Sequence, residues 1–568
     1  MKLKHAVALF VLTVLGTILF SSSSASAATF TVATGNDENT DNASCALSEA
    51  IENINNAANT NTDCSPSGAY GTNDTINLPS GTITLTANLP DITESLSVVG
   101  QGKATSAIDG DGTYSGFYIE NLVDTLSLTG FTFQNADGYA VAACAADVTL
   151  NQLLVDNSAY GAAFSCGGDI YTERATVTDS EFTNNESATG TAGLYISAQT
   201  DPGCSASLEI TLTRVKANGN SVTETTGGVA AGILISSDND CTSPFVETIT
   251  FEDVEANGNS SSGEAGIGIW GGGEAVTTSV SFNRVSTVNN SISGSLAGID
   301  GVPAAAGIAI LNILIADLTN VTSSGNSANA TSISQSGGTG ITLATIGSTA
   351  ELSITNTTVT DNSFTNSSNV ASGLPFSGVS TLSTTDFSTF TPGTFTNILA
   401  ANNTMDGTPS TCLESIDFGG GPTELPITSG GGNVIGDGTC AFALDDPTDQ
   451  NNVAGLFATL AAPAYNDGFV ETVALLEGSP AVDAGVAVPF SLDAQQVSRS
   501  QGAGVDAGAY ESAFGAASGG GSDGAASGSD ELAETGSQYV VLLLASAALL
   551  TSSAIGVGAQ RKLQIRRR

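Results

Sequence analysis

LEITLTRVKANGNS (208–221), ETITFEDVEANGNS (247–260), TSVSFNRVSTVNNS (278–291) and ELSITNTTVTDNS (351–363) share one pattern. Apolar and polar residues alternate, as in a strand with one buried face, and a valine then leads to an Asn at a turn. A second strand follows a variable loop: GLYIS (193–197), GILIS (232–236), GIGIW (266–270), GIAIL (307–311) and GITLA (340–344). With the turn Asn as marker, the units fall at Asn157, Asn185, Asn220, Asn259, Asn290, Asn326 and Asn362, at intervals of 28, 35, 39, 31, 36 and 36 residues. Helical repeats keep a more constant length, whereas the coils of a parallel β-helix tolerate loops of any size. A β-sandwich with Gly-rich turns is the rival, but seven similarly ordered units exceed one sandwich. The expected fold is therefore an all-β solenoid of parallel β-helix coils, with Val, Ile and Leu stacked inside and Asn ladders at the turns.

Composition agrees. Of 568 residues only 12% are charged, 40% are hydrophobic and 66 are Gly, which suits an uncharged polar β surface better than a disordered acidic chain. Between residues 28 and 535 there are six basic side chains (Lys103, Arg174, Arg214, Lys216, Arg284, Arg499) against all 56 acidic ones, a net of −50. Such a body repels phosphate backbones and anionic membranes, which excludes nucleic acid as a partner. His5 is the one histidine, so Ser-His-Asp triads and His-ligated metals are excluded as well.

The ends read as addresses. Lys2, Lys4 and His5, the apolar run 6–20 and Ala25-Ser26-Ala27 form a secretory signal, cut after Ala27 so that Ala28 becomes the first residue. A transmembrane helix is the alternative, but about 20 apolar residues are needed to span a bilayer. At the far end, residues 539–559 are an uncharged run of 21, followed by QRKLQIRRR. Such a run spans, and basic residues stay on the cytoplasmic side. Upstream stands Leu532-Ala533-Glu534-Thr535-Gly536. This order resembles a Gram-positive cell-wall sorting signal of the LPxTG type, in the LAxTG form associated with class E sortases. The resemblance implies that a membrane transpeptidase cleaves after Thr535 and joins it to a peptidoglycan precursor. A plain membrane anchor is the alternative; a GPI signal does not normally end in basic residues. Residues 513–531, rich in Gly and Ser, read as a flexible linker.

CALSEAIENINNAA (45–58) resembles the CSLREA motif of surface β-helix proteins, with Ala46 and Ser48 replacing Ser and Arg. SLSVVGQGKATSAIDGDGT (95–113), LSLTGFTFQNADG (126–138), TVALLEGSPAVDAG (472–485) and DAGAYE (506–511) resemble other parts of that family, while DAQQVSRSQG (493–502) replaces its D-Q-R-G step. The resemblance implies a right-handed parallel β-helix, divided into signal (1–27), N-terminal cap (28–77), coils (78–410), C-terminal β module (411–512), linker (513–531) and sorting signal (532–568). Leu47, Ile51 and Ile54 lie three or four apart, so the cap contains an amphipathic helix closing the first coil.

Eight Cys in an exported chain favour disulfides. Cys144 with Cys166 and Cys204 with Cys241 occupy like places in adjacent coils. Cys45–Cys64 would staple the cap, and Cys412–Cys440 a C-terminal loop. Each closed loop adds roughly 3–4 kcal/mol in the chain-entropy model. Without CxxC or a second His, no metal site is expected.

Three function classes stay open. The favoured one is a wall-anchored display or adhesin-like protein, with sortase and peptidoglycan precursor as partners and no cofactor, metal or catalytic residue. A surface carbohydrate or a receptor on a host or partner cell is the outer ligand to consider. A polysaccharide-binding protein predicts aromatics aligned on one face. A polysaccharide-degrading enzyme predicts converging carboxylates, with Asp109 and Asp111, Asp238 and Asp240, or Glu252 and Asp253 as pairs to examine. No DxDxDG loop with its terminal Glu is present to hold calcium.

Overall fold

The alternating segments pair in parallel, rung upon rung. The computed structural model describes residues 27–40, 42–165, 173–199, 207–223, 230–238, 245–271, 276–296, 304–333, 337–345, 351–366, 379–383, 393–412, 415–417, 422–424, 427–440 and 444–515. Thirteen strands from Thr29–Thr31 to Ile427–Gly431 form one parallel ladder, passing through Leu208–Asn218, Phe245–Glu255, Val276–Val288 and Glu351–Thr355. Its register stacks Leu150, Val177, Leu212, Phe251, Phe282 and Leu318, all buried. The period of two thus places one side of every strand in a continuous core. The Phe251 and Phe282 rings meet at 4.4 Å edge to face. The fold is all-β and solenoid-like.

Two further ladders share this sheet. One runs from Gly35–Asp37 and Gly81–Leu85 to Val434–Ile435. The other starts in the first halves of Phe117–Thr129 and Tyr139–Asn151. It continues through Tyr160–Phe164, Leu194–Gln199, Ile233–Asp238, Ile267–Trp270, Ile308–Ile313 and Ile341–Thr345. From Leu194–Gln199 onward, the glycine of the GILIS pattern immediately precedes each strand. A Cβ on Gly193, Gly232, Gly266 or Gly307 would lie 2.2–2.3 Å from the carbonyl oxygen of the next glycine in the column. Backbone passes backbone there too closely for any side chain. A separate sheet of short strands, beginning with Glu186–Ser187 and Ser221–Val222, completes each turn.

The turn asparagines stand at the corner before that short sheet, in a single buried column. Nδ2 of Asn185, Asn220, Asn259, Asn290, Asn326 and Asn362 donates to Oδ1 of the next member, ending at Asn403, over 2.9–3.2 Å. The backbone N–H of each also donates to that oxygen. Asn157 is not a member: Ser158 aligns with Asn185 and donates its N–H to it, at 3.0 Å. The residue before each column member turns left-handed, and Asn157 (φ 50°) holds that position beside Asn184, Gly219 and Gly258.

At the N-terminal end lies helix α1, Leu47–Asn55. It buries Leu47, Ala50, Ile51 and Ile54 in the core that also holds Phe30 and Ile76. Glu49 reaches back to the Ala46 N–H at 3.0 Å, answering a donor that the first turn leaves open. Disulfides join Cys45 to Cys64 and Cys412 to Cys440. Cys144 is also disulfide-bonded; Cys166, Cys204 and Cys241 lie outside the described residues. Beyond Val434–Ile435 the chain runs back along the solenoid through isolated bridges and one 3-10 turn, Leu456–Thr459. No helix among the described residues is long and apolar enough to cross a membrane.

Candidate functional site

On the outer side of the glycine-led ladder, Tyr118, Ala142, Ala163 and Tyr195 occupy one position on successive rungs. Their inward neighbours Phe117, Val141, Ala162 and Leu194 are buried, so alternation turns this set outward. Three positions earlier on the same strands, Tyr139 pairs with Tyr160, and their rings stack at 4.5 Å. The Tyr160 hydroxyl is 2.9 Å from Thr189 Oγ1. Tyr118 is 43% exposed. Tyr118 and Tyr139 stand between two hollows and line both. The first, about 290 Å³, has Asn88, Asp91 and Ser115 on its walls. The second, about 470 Å³, has Glu120, Asn121 and the floor formed by Ala142 and Ala163. Burial, followed by the neighbouring Tyr160 and Tyr195, pushes the Tyr139 hydroxyl above the usual phenol range, so it stays a hydrogen-bond donor at neutral pH.

A third hollow, about 460 Å³, lies along the left-handed corner, lined by Asp109, Asp111, Asp137, Asn157 and Glu186 among others. Burial would raise the Asp109 carboxyl. The amides of Asn135 and Gln134 and the Asp111 N–H outweigh it and hold Asp109 below the usual carboxylate range. Asp109 thus holds the turn, and among the described residues no three metal-binding side chains come together. Glu252 and Asp253 do converge, on Arg284. Asp240 lies outside the described residues, as does the Asp238 side chain.

All six basic side chains of the body are ion-paired: Lys103 with Glu181, Arg174 with Asp147 and Glu209, Arg214 with Asp179, Lys216 with Glu255, Arg284 as above, and Arg499 with Glu511. Lys216 sits 4.2 Å from the Tyr465 ring centroid, a contact delivered by the returning C-terminal segment. Buried Arg499 donates to Asn320 Oδ1 at 2.7 Å and to the Gly508 carbonyl at 3.1 Å. The two C-terminal motifs are wired together beside it. Asp506 accepts from the Asp483 and Ser512 N–H groups, and Glu511 from Ser500, Gln501 and Asp506. Burial raises the Asp506 and Glu511 carboxyls, against the pull of these hydrogen bonds.

Glu264 was invisible in the sequence. Its carboxyl is fully buried with no hydrogen bond to any other residue, and burial, opposed only by its own backbone N–H, pushes its pKa up to about 8. It stands beside Leu234 and Gly268, on a rung where its neighbour below is Ala230.

Of the sequence-derived site residues, Ala27 and Ala28 are described, and Ala25, Leu532, Ala533, Glu534, Thr535 and Gly536 lie outside the described residues. Ala28 is buried, and its backbone nitrogen donates to Asp74 Oδ1 at 2.7 Å. No family model, curated protein or solved structure matches this chain.

Proposed function

We propose that this chain is an exported display protein, held on the cell wall of a Gram-positive-type bacterium through Thr535, with a right-handed parallel β-helix as its body and α1 as the cap of the first coil. The observation that carries the reading is the uninterrupted ladder of thirteen parallel strands, a stiff spacer whose buried corner is held by a bonded asparagine column. Helix α1 covers apolar side chains and backbone edges that an open first coil would expose. The position of Ala28 supports cleavage after Ala27. The nitrogen that the precursor presents as an amide becomes an ammonium in the mature chain, and the Asp74 carboxylate already faces it.

In anchoring, a transpeptidase thiolate attacks the Thr535 carbonyl and the Gly536 amine leaves. An amine of the wall precursor then displaces the enzyme from the thioester. Residues 539–559 hold the chain during the exchange, and the basic tail halts translocation. In the test, Thr535→Ala is expressed in a host with a class E sortase. The wild type is expected to need muralytic digestion for release, with a mass spanning Ala28 to Thr535 plus wall peptide. The variant is expected in the detergent-soluble membrane fraction, and Glu534→Ala should behave as wild type. A Thr535→Ala chain that still needs wall digestion sinks the reading.

A further inference from the structure

We propose that the face carrying Tyr118, Tyr139 and Tyr160 is a binding site for an uncharged polysaccharide. The inference is separate from anchoring and stands or falls without it. Its geometric basis is a flat floor with aromatic ends. Tyr118 and Tyr195 are three rungs apart on one outward column, and the two positions between them are alanines. At about 4.8 Å per rung, the floor is about 14 Å long, enough for a few sugar units. Tyr139 and Tyr160 stack face to face at its side, so the aromatic surface extends over adjacent rungs instead of ending at one ring. Rigid tyrosines with few rotatable bonds lose little entropy when a ligand covers them, and they offer both a face and a hydroxyl.

The hollows on either side of Tyr118 supply polar partners at the rim, with amides at Asn88 and Asn121 and carboxylates at Asp91 and Glu120. Amides and carboxylates beside an aromatic face match a ligand with apolar C–H faces and hydroxyl edges. Charge selects the class further. No Lys or Arg lines either hollow, and all six cations of the body are paired elsewhere. A polyuronate or teichoic acid would meet like charge at Asp91 and Glu120 with nothing to neutralise it. A protein partner would need a larger apolar patch, whereas the strongly exposed aromatic on this face is Tyr118.

Affinity electrophoresis of the full-length protein tests this, in gels containing soluble starch, xyloglucan, mannan or, as the charged counterpart, polygalacturonate. At least one neutral polymer is expected to retard the protein, and polygalacturonate to leave it unretarded. Tyr118→Ala should weaken that retardation at least 10-fold, with Phe490→Ala, an exposed ring in the C-terminal segment, unchanged. Tyr139→Ala should weaken it as well; if that half-buried ring proves necessary for folding, Tyr118→Ala with an unaltered unfolding midpoint carries the test alone. Retardation by none of the three neutral polymers, equal retardation by polygalacturonate, or indifference to Tyr118→Ala overturns the proposal.

Discussion

Asn185 through Asn403 form one column at a corner of the solenoid; Asp179, Arg214, Asp253 and Arg284 form another, also on successive rungs. At both corners the backbone turns left-handed. In the first the turning residue precedes the column, and in the second it is the column itself, with φ between 51° and 57°. The asparagine column is buried and repeats one residue seven times. The charged column is partly open, with Asp179 and Arg214 side chains 34% and 42% exposed, and it alternates sign. An asparagine carries a donor and an acceptor, so identical neighbours satisfy each other without limit. A charge cannot repeat, because like charges on adjacent rungs repel. Repetition of one residue therefore requires a self-complementary side chain, whereas a column of charges must alternate in sign even where Asp253 and Arg284 are buried.

The largest effect should come from breaking the buried column. Asn259→Ala strands the Asn220 amide, the Ala217 carbonyl and part of Asn290 at once. The expected loss is about 4 kcal/mol, from several orphaned groups at 1–3 kcal/mol each. Urea unfolding followed at Trp270, the one tryptophan, reads it locally.

Glu264 sharpens the contrast, as a buried polar group with no column at all. Its folded pKa of about 8 lies above the ordinary 4.5, so between those values the unfolded chain releases a proton that the folded chain keeps. Stability should then fall as pH rises from 4.5 towards 8, by about 3 kcal/mol at pH 7, at 1.36 kcal/mol per unit. Glu264→Ala should flatten that slope and be the more stable protein at pH 7.5. An unchanged slope in urea midpoints would contradict the assignment.

The smallest effects belong to the ion pairs, one inside the charged column and one outside it. Arg284→Ala removes a cation whose side chain is 10% exposed and is expected to cost about 1–2 kcal/mol, between the buried and surface limits. Arg174→Ala, at 54% exposure, should stay within about 0.5 kcal/mol. Equal losses in the two variants would show that burial does not set the worth of these ion pairs.

The repeating strands and turn asparagines were legible because both follow from local alternation, which recurs at every rung. The heptapeptide spacing of Leu47, Ile51 and Ile54 likewise appears as helix, and Cys45–Cys64 and Cys412–Cys440 are bonded. Asn157 matches the turn marker in sequence yet stands outside the column, because Asn also serves the left-handed position just before it. Sequence gives no sign of which Asn of such a pair points inward. Asn403 carries no such signal, since its rung is the short strand Leu399–Ala401 without the long alternating lead. The return of the C-terminal segment was not readable either. Tyr465 meets Lys216 across 249 residues, and no periodicity records a pairing made once. The tyrosine face fell between these cases. Its residues sit in unlike sequence contexts, and only the register brings them together.

The direction of the asparagine bonds gives the column two unlike poles. Every side-chain amide donates towards the C-terminal rung, so the group dipoles add head to tail as peptide dipoles do along a helix. The carbonyl pole at Asn185 is met by a donor, the Ser158 N–H. The amino pole at Asn403 is met by an acceptor, the Thr411 hydroxyl at 3.3 Å, which hands the bond on to Asp437. A rung excised whole from the middle would leave both poles matched, whereas the terminating residues cannot trade places: an acceptor at Asn185 or a donor at Asn403 would confront its own kind.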